Sequence, residues 1–228
     1  MNAGSLFLQN IYTLKSNKKR KKNMENHFNE AAKDWDKNNI HNERTDAISK
    51  EIIKKIETNK KVSAMEFGSG TGLLSFAIQD YFSDITLLDS SIEMTKVAQE
   101  KIEQSELEHL KAIYFNLEKQ DFNDQTFDCI FSQMALHHVD DIKKMFSKFY
   151  KMLNKNGQLF IADLFTEDGT FHDANFTGYY GFDPQYLSEL LLNAGFESVE
   201  HKECYVIKRT VGLVMEKEFP IFLLMAIK

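Results

Sequence analysis

The residues best suited to chemistry lie in Met65-Glu66-Phe67-Gly68-Ser69-Gly70-Thr71-Gly72-Leu73, where a short apolar run meets a helix-like stretch. Closely spaced glycines permit a tight turn and let backbone N–H groups approach a ligand. A dinucleotide fingerprint, G-x-G-x-x-G, would need its third glycine at position 73. Leu73 stands there instead, and no lysine follows the loop to grip phosphate. Glu66 precedes the glycines, so the loop suits a ligand bearing an ammonium group better than one bearing pyrophosphate. Asp89 ends the next apolar run, 19 residues after Gly70. A carboxylate at that place can accept two hydrogen bonds from ribose hydroxyls. Together these residues point to a nucleoside ligand, with capping of the next helix as the plainer role for Asp89.

His137-His138-Val139-Asp140-Asp141 has the composition of a metal cluster. Adjacent histidines on an extended strand, however, point to opposite faces. Asp140 or Asp141 also suits an N-cap for a helix starting at Ile142. Structural roles therefore come first for this stretch, base catalysis second and metal ligation last. Residues 164–182 are dense in aromatics, including Phe171, Phe176, Tyr179 and Tyr180, and also contain His172. They follow the fifth strand, on the side of the sheet where open α/β folds bind ligands. A substrate wall is preferred over a loop that merely packs its own rings.

The elements that must position these residues are legible as alternating patterns. Ile48, Ile52 and Ile56 recur at helical spacing. Strands are expected at Val62–Phe67, Ile85–Asp89, Ala112–Phe115, Phe127–Ser132 and, after an Asn156-Gly157 turn, Gln158–Ala162. Helices are expected between them, one carrying Met94, Val97 and Ala98 and one carrying Ile142, Met145, Phe146, Phe149 and Leu153. Met94 reads either as core or as part of the ligand site. Asp183-Pro184 is an N-cap followed by proline at the first helical position, and Gly195 is a stop. Val199–Ile207 and Phe219–Ile227 close the chain with no helix between them, so they must pair antiparallel. The fold class is α/β, a doubly wound, mainly parallel sheet with one antiparallel strand.

The chain of 228 residues carries 28 basic and 34 acidic side chains, a formal charge of −6. Six of the basic residues, Lys15, Lys18, Lys19, Arg20, Lys21 and Lys22, fall in residues 1–23, which contain no acid. Residues 1–23 are expected to be a flexible basic extension, Met24 is an alternative start, and residues 24–228 form a single domain. The remaining body is strongly acidic and repels phosphate backbones, which argues against nucleic acid as a partner. Cys129 and Cys204 are too few and too far apart for a disulfide framework or a metal site, which fits a reducing cytoplasm. The apolar stretch Phe219–Ile227 is too short to span a bilayer.

Four segments resemble the class I S-adenosylmethionine-dependent methyltransferases, especially the small-molecule branch that includes the ubiquinone/menaquinone C-methyltransferases and related type 11 domains. They are Phe28–Asp36, Glu66–Gly72, Leu88–Met94 and Phe127–Val139, and Gly195-Phe196 adds to the likeness. The resemblance implies a Rossmann-like seven-stranded sheet of order 3-2-1-4-5-7-6 and S-adenosylmethionine as cofactor. By position it implies that Glu66, Gly68, Ser69, Gly70, Thr71 and Gly72 hold the methionine part. Asp89 would hold the ribose, Ser90 and Met94 would flank the adenosine, Asn116 and Leu117 would meet the adenine, and Gln133 and Met134 would border the methionine end. Asn116 departs from an aspartate common in the family. Methyl transfer to a small-molecule acceptor needs no metal, and a base only where the acceptor must lose a proton. His137 is then the first candidate and His172 the second. Trp35, Tyr179 and Tyr180 are the expected acceptor-binding side chains. The acceptor's identity stays open, as does the choice between monomer and homodimer. The alternative is a catalytically silent S-adenosylmethionine-binding sensor or scaffold.

Overall fold

The computed structural model describes residues 26–56, 62–172, 176–212 and 215–228. The expectations for residues 1–23 and for Met24 lie outside them. Seven strands form one sheet: β1 (Val62–Phe67), β2 (Phe82–Asp89), β3 (Leu110–Tyr114), β4 (Phe127–Gln133), β5 (Leu153–Leu164), β6 (Ser198–Val211) and β7 (Met215–Ile227). Their order is β3-β2-β1-β4-β5-β7-β6, and only β7 runs antiparallel to its neighbours. This is the sheet expected from the sequence.

Among the described residues, the helices that cover the two faces are α1 (Asn39–Ile53), α2 (Leu73–Ile78), α3 (Ile92–Gln104), α4 (Ile142–Met152) and α5 (Pro184–Ala194). Successive strand residues point to opposite faces, and the core divides accordingly. Met65, Leu88, Ile130, Leu159 and Ile161 pack with α4 and α5, through Phe146, Phe149, Leu187 and Leu191. Their neighbours Ala64, Leu87, Phe131, Phe160 and Ala162 pack with α1, α2 and α3, through Ile48, Ile52, Leu74 and Ala98. Because both faces are covered, the central strands read as continuous apolar runs rather than alternations.

Several strand boundaries differ from the sequence reading, β2 among them, which starts at Phe82 rather than Ile85. β3 starts at Leu110, which is in register with Ile85 of β2, and the Ile85 N–H donates to the His109 carbonyl at 2.9 Å. β5 starts before the Asn156-Gly157 turn: Leu153 pairs with Phe127, while Gln158 pairs with Cys129. The intervening residues bulge out, with Asn156 at φ 63°. The terminal hairpin is also longer, because β6 and β7 keep pairing to Val211 and Met215, beyond the last β5 partner at Ile221. Lys217 on this projection bonds Asp168, and the Arg209 guanidinium donates to the Phe171 carbonyl at 2.6 Å. The hairpin thus braces the segment that leaves β5.

The chain direction of strand addition reverses between β1 and β4, and open α/β sheets bind ligands in the crevice beyond the carboxyl ends there. No described helix is long and apolar enough to cross a membrane.

Candidate active site

A cavity of about 1200 Å3, counting its open mouth, lies at this reversal point. The glycine loop forms its floor. Gly68 and Ser69 donate their N–H groups to the Leu88 carbonyl at 2.9 and 3.1 Å, and Gly72 donates to Ser69 at 2.8 Å. Gly68 has φ +66°, and a Cβ there would lie 2.4 Å from that of Ala135. This glycine therefore allows the loop after β4 to approach the loop after β1. Gly72 does not line the cavity. It starts α2 at φ +83°, over Leu87 and Phe76, and serves the packing of helix on sheet.

Two carboxylates flank the loop. Glu66 is 2% exposed. Its Oε2 accepts from the Ser75 hydroxyl at 2.5 Å and from the Ser75 N–H at 3.2 Å. Burial pushes its carboxyl up to about 8, with Ser75 opposing and Asp89 adding to the rise. Asp89 accepts from the Gly70 N–H and the Ser91 N–H, both at 2.7 Å. Burial raises its pKa as well, against those hydrogen bonds. Glu66, Gly68, Ser69, Gly70, Thr71, Asp89, Ser90, Met94, Asn116, Leu117, Gln133, Met134 and Trp35 all line this one cavity. Asn116 is partly committed: its Oδ1 accepts the Lys119 N–H at 3.1 Å, closing the turn after β3.

The histidines are arranged differently from the strand geometry expected. Leu136–His138 is a 3₁₀ turn, so the two adjacent rings do not diverge and their centroids are 4.1 Å apart. His137 faces inward. It is 2% exposed, its Nδ1 lies 2.6 Å from Asp163 Oδ1, and its backbone N–H donates to Oδ2 at 3.2 Å. His138 lines the cavity, with its Nδ1 enclosed and without a hydrogen-bond partner among the described residues. Burial, then the neighbouring histidines, hold its pKa well below the ordinary value. His172 stacks on Phe176 at 3.6 Å and is pushed down to about 3 by burial and His137. Neither His137 nor His172 lines the cavity. Asp141 caps α4, accepting from the Lys144 N–H. Among the described residues, no group of three or more His, Cys, Asp or Glu is placed to hold a metal ion.

Tyr179 and Tyr180 are 40% and 45% exposed and lie outside the cavity lining. The Tyr179 N–H donates to the His137 carbonyl at 2.8 Å, so the loop is tied down beside the histidines. Its ring nearest the site is Phe176, 5.5 Å from His138. From the other side, Phe28 meets His138 edge-on at 5.2 Å and Trp35 at 5.9 Å.

Several contacts had no signal in local spacing. Asn29 accepts from the Ser91 hydroxyl at 2.7 Å, and Asp36 accepts from the Thr71 hydroxyl at 2.5 Å and from Lys101 at 2.7 Å. These bonds fasten residues 26–37 across the cavity mouth. Arg44, on α1, is 6% exposed and its buried Nε has no hydrogen-bond partner among the described residues, while its neighbour Thr45 accepts from Gln133 at 2.8 Å. Burial lowers the Arg44 pKa to about 10, and the nearby Asp163 opposes this.

Residues 65–161 match the methyltransferase domain family. An uncharacterized methyltransferase of Schizosaccharomyces pombe is 30% identical over 155 residues, covering 61% of this chain and 55% of its own. Phosphoethanolamine N-methyltransferase 3 of Arabidopsis thaliana is 27% identical over 165 residues, covering 66% of this chain and 32% of its own. The chain thus spans about half or less of the length of these relatives. The crystal structure of the YcgJ protein of Bacillus subtilis superposes with a TM-score of 0.65 at 14% identity, over 79% of this chain and 97% of that one, and shares the fold. Residues 65–161 thus match a methyltransferase domain, and the sheet order and the structural likeness are those of the class I S-adenosylmethionine-dependent methyltransferase fold.

Proposed function

We propose that this protein transfers the methyl group of S-adenosylmethionine to a small-molecule acceptor, releasing S-adenosylhomocysteine. The observation that carries the reading is a single cavity, at the carboxyl ends of β1, β2 and β4, that collects Glu66, the glycine loop, Asp89 and Gln133-Met134. The residues fit the cofactor's charges. Buried Glu66 can pair with an ammonium, Asp89 has the acceptor oxygens a ribose needs, and Met94, Phe115 and Leu117 offer apolar surface to a base. Bound S-adenosylmethionine supplies an already activated methyl group. The chain's part is to align the acceptor and exclude water.

Phe28, Trp35 and His138 bound the end of the cavity near Gln133 and Met134, with Phe176 beside His138. This enclosure suits a small acceptor with a flat or apolar part. His138, kept neutral by its burial, takes the role of base where the acceptor must lose a proton. A small acceptor also accords with the phosphoethanolamine named in one relative. We further place the protein in the cytoplasm, on two free cysteines, one buried and one half-buried.

The test is to incubate the purified protein with methyl-labelled S-adenosylmethionine and a metabolite extract, then look for S-adenosylhomocysteine and a labelled small molecule. Tight cofactor binding with no product from any extract would favour the silent sensor or scaffold. Failure to bind the cofactor at all would reject both readings.

A further inference from the structure

Helix α4 turns one cation inward. Lys148 is 8% exposed and shares its face with Met145, Phe149 and Met152. Lysines are almost never this buried without partners. Its Nζ donates to the carbonyls of Leu117 and Gln120, each at 2.6 Å, and lies 2.9 Å from Asp121 Oδ1. An ammonium has three hydrogens, and here all three serve one loop, the segment after β3. An apolar side chain would suit the helix face equally well, so the cation is there for the loop.

That loop forms one end of the cavity. Phe115, Asn116, Leu117, Glu118 and Lys119 line it beyond Asp89, on the side away from Glu66. With an ammonium at Glu66 and a ribose at Asp89, the base of the nucleoside falls against this loop. The Asn116 side-chain oxygen, Oδ1, already accepts the Lys119 N–H. The Leu117 N–H has no acceptor among the described residues. The edge of the base must then be read largely by backbone, and a backbone group discriminates only when its direction is fixed.

We propose that Lys148 is the positioning residue for purine recognition: by tying down the Leu117 and Gln120 carbonyls it holds the turn in which the Asn116 main-chain carbonyl, one peptide unit with the Leu117 N–H, accepts from Lys119 and Gln120, so that the Leu117 N–H meets a ring-nitrogen acceptor of adenine. The proposal rests on the nucleoside reading of the cavity. Adenine presents a bare N1, whereas hypoxanthine carries a hydrogen there, so a fixed N–H donor favours the first and rejects the second.

Calorimetric titration of the full chain with S-adenosylhomocysteine and with S-inosylhomocysteine tests it. Wild type should prefer the adenine ligand by about tenfold or more, the worth of one well-placed hydrogen bond. Lys148→Met should erase most of that preference by weakening the adenine ligand, leaving the inosine ligand nearly unchanged. Lys148→Gln keeps donors for the carbonyls and should retain the fold and part of the preference. An undiminished preference in a folded variant, or equal losses for both ligands, would overturn the proposal. Wild type binding neither ligand would overturn the nucleoside reading and this proposal with it.

Discussion

Glu66 is a carboxyl group placed where a free carboxylate is poorly solvated, and burial holds its pKa at about 8. An arriving ammonium reverses that balance, because opposite charge favours the ionised form. Binding of S-adenosylhomocysteine at pH 7 should therefore release close to one proton, about the protonated fraction that such a pKa implies. The release would appear as a binding enthalpy that changes with the buffer's ionisation enthalpy, and Glu66→Gln should abolish it. Linkage gives the sign for the ligand-free protein. With a folded pKa above the unfolded value, Glu66 contributes stability that is fully present below about pH 4.5 and lost as the pH rises through about 8. Wild type should accordingly lose melting temperature relative to Glu66→Gln between pH 5 and pH 9.

The paired histidines separate a cavity-facing ring from a structural one. His137→Ala would strand the fully buried Asp163 with its main ring partner gone. Leaving a buried hydrogen-bonding group without its side-chain partner costs about 1–3 kcal/mol, measurable by urea denaturation. His138→Ala removes a half-buried ring from the cavity wall and should lower product formation in the extract assay while leaving cofactor affinity within a few fold. If the two variants exchanged these phenotypes, the assignment of roles would be reversed.

Among the elements, what the sequence made legible was local. The glycine loop, Glu66 and Asp89 lie close along the chain, the continuous apolar runs mark the central strands, and the period of 3.6 fixes which face each helix buries. Asp183-Pro184 opens α5 and Gly195 ends it at φ 110°, both from local rules. The histidine pair was misplaced because a 3₁₀ turn, held by the Asp163 side chain 26 residues on, replaces an extended strand. The clasp on residues 26–37 was invisible for the same kind of reason, since Asp36 meets Thr71 and Lys101 across 35 and 65 residues. Gly68→Ala tests the loop itself. A left-handed φ for a residue with a Cβ costs about 1–2 kcal/mol, and the clash with Ala135 adds about 1–3 kcal/mol. The expected result is a lowered melting temperature together with weakened cofactor binding. Asp36→Ala should behave differently. Its partly exposed ion pair contributes only about 0–1 kcal/mol, so melting should hardly move. Limited proteolysis within residues 26–37 should nonetheless accelerate in the ligand-free protein, and an unchanged cleavage rate would mean that the clasp does not hold the segment.

For the molecule as a whole, the cavity is the place where separately packed parts meet. Residues 26–37 border it from above, the loops after β1 and β2 come from the centre of the sheet, and the loop after β4 brings in His138. A ligand that touches all of them stabilises the folded state by mass action. At a hundredfold excess over its Kd, S-adenosylhomocysteine should contribute about 2.7 kcal/mol. For a domain of this size, that is roughly 5–10 °C in melting temperature. NAD should give no comparable shift, for reasons visible in the loop. Pyrophosphate binding needs free N–H groups at a helix start, but Gly68 and Ser69 donate to Leu88 and Gly70 donates to Asp89. Leu73 and Leu74 present apolar side chains at the start of α2, and Glu66 sits beneath them. A sulfonium nucleoside with an ammonium group asks for the reverse arrangement, with carboxylates available and phosphate donors withheld. Thermal melting with each ligand at matched concentration separates the two. Equal stabilisation by NAD would mean that the glycine loop opens to free its N–H groups, and the charge argument for the ligand would then fail.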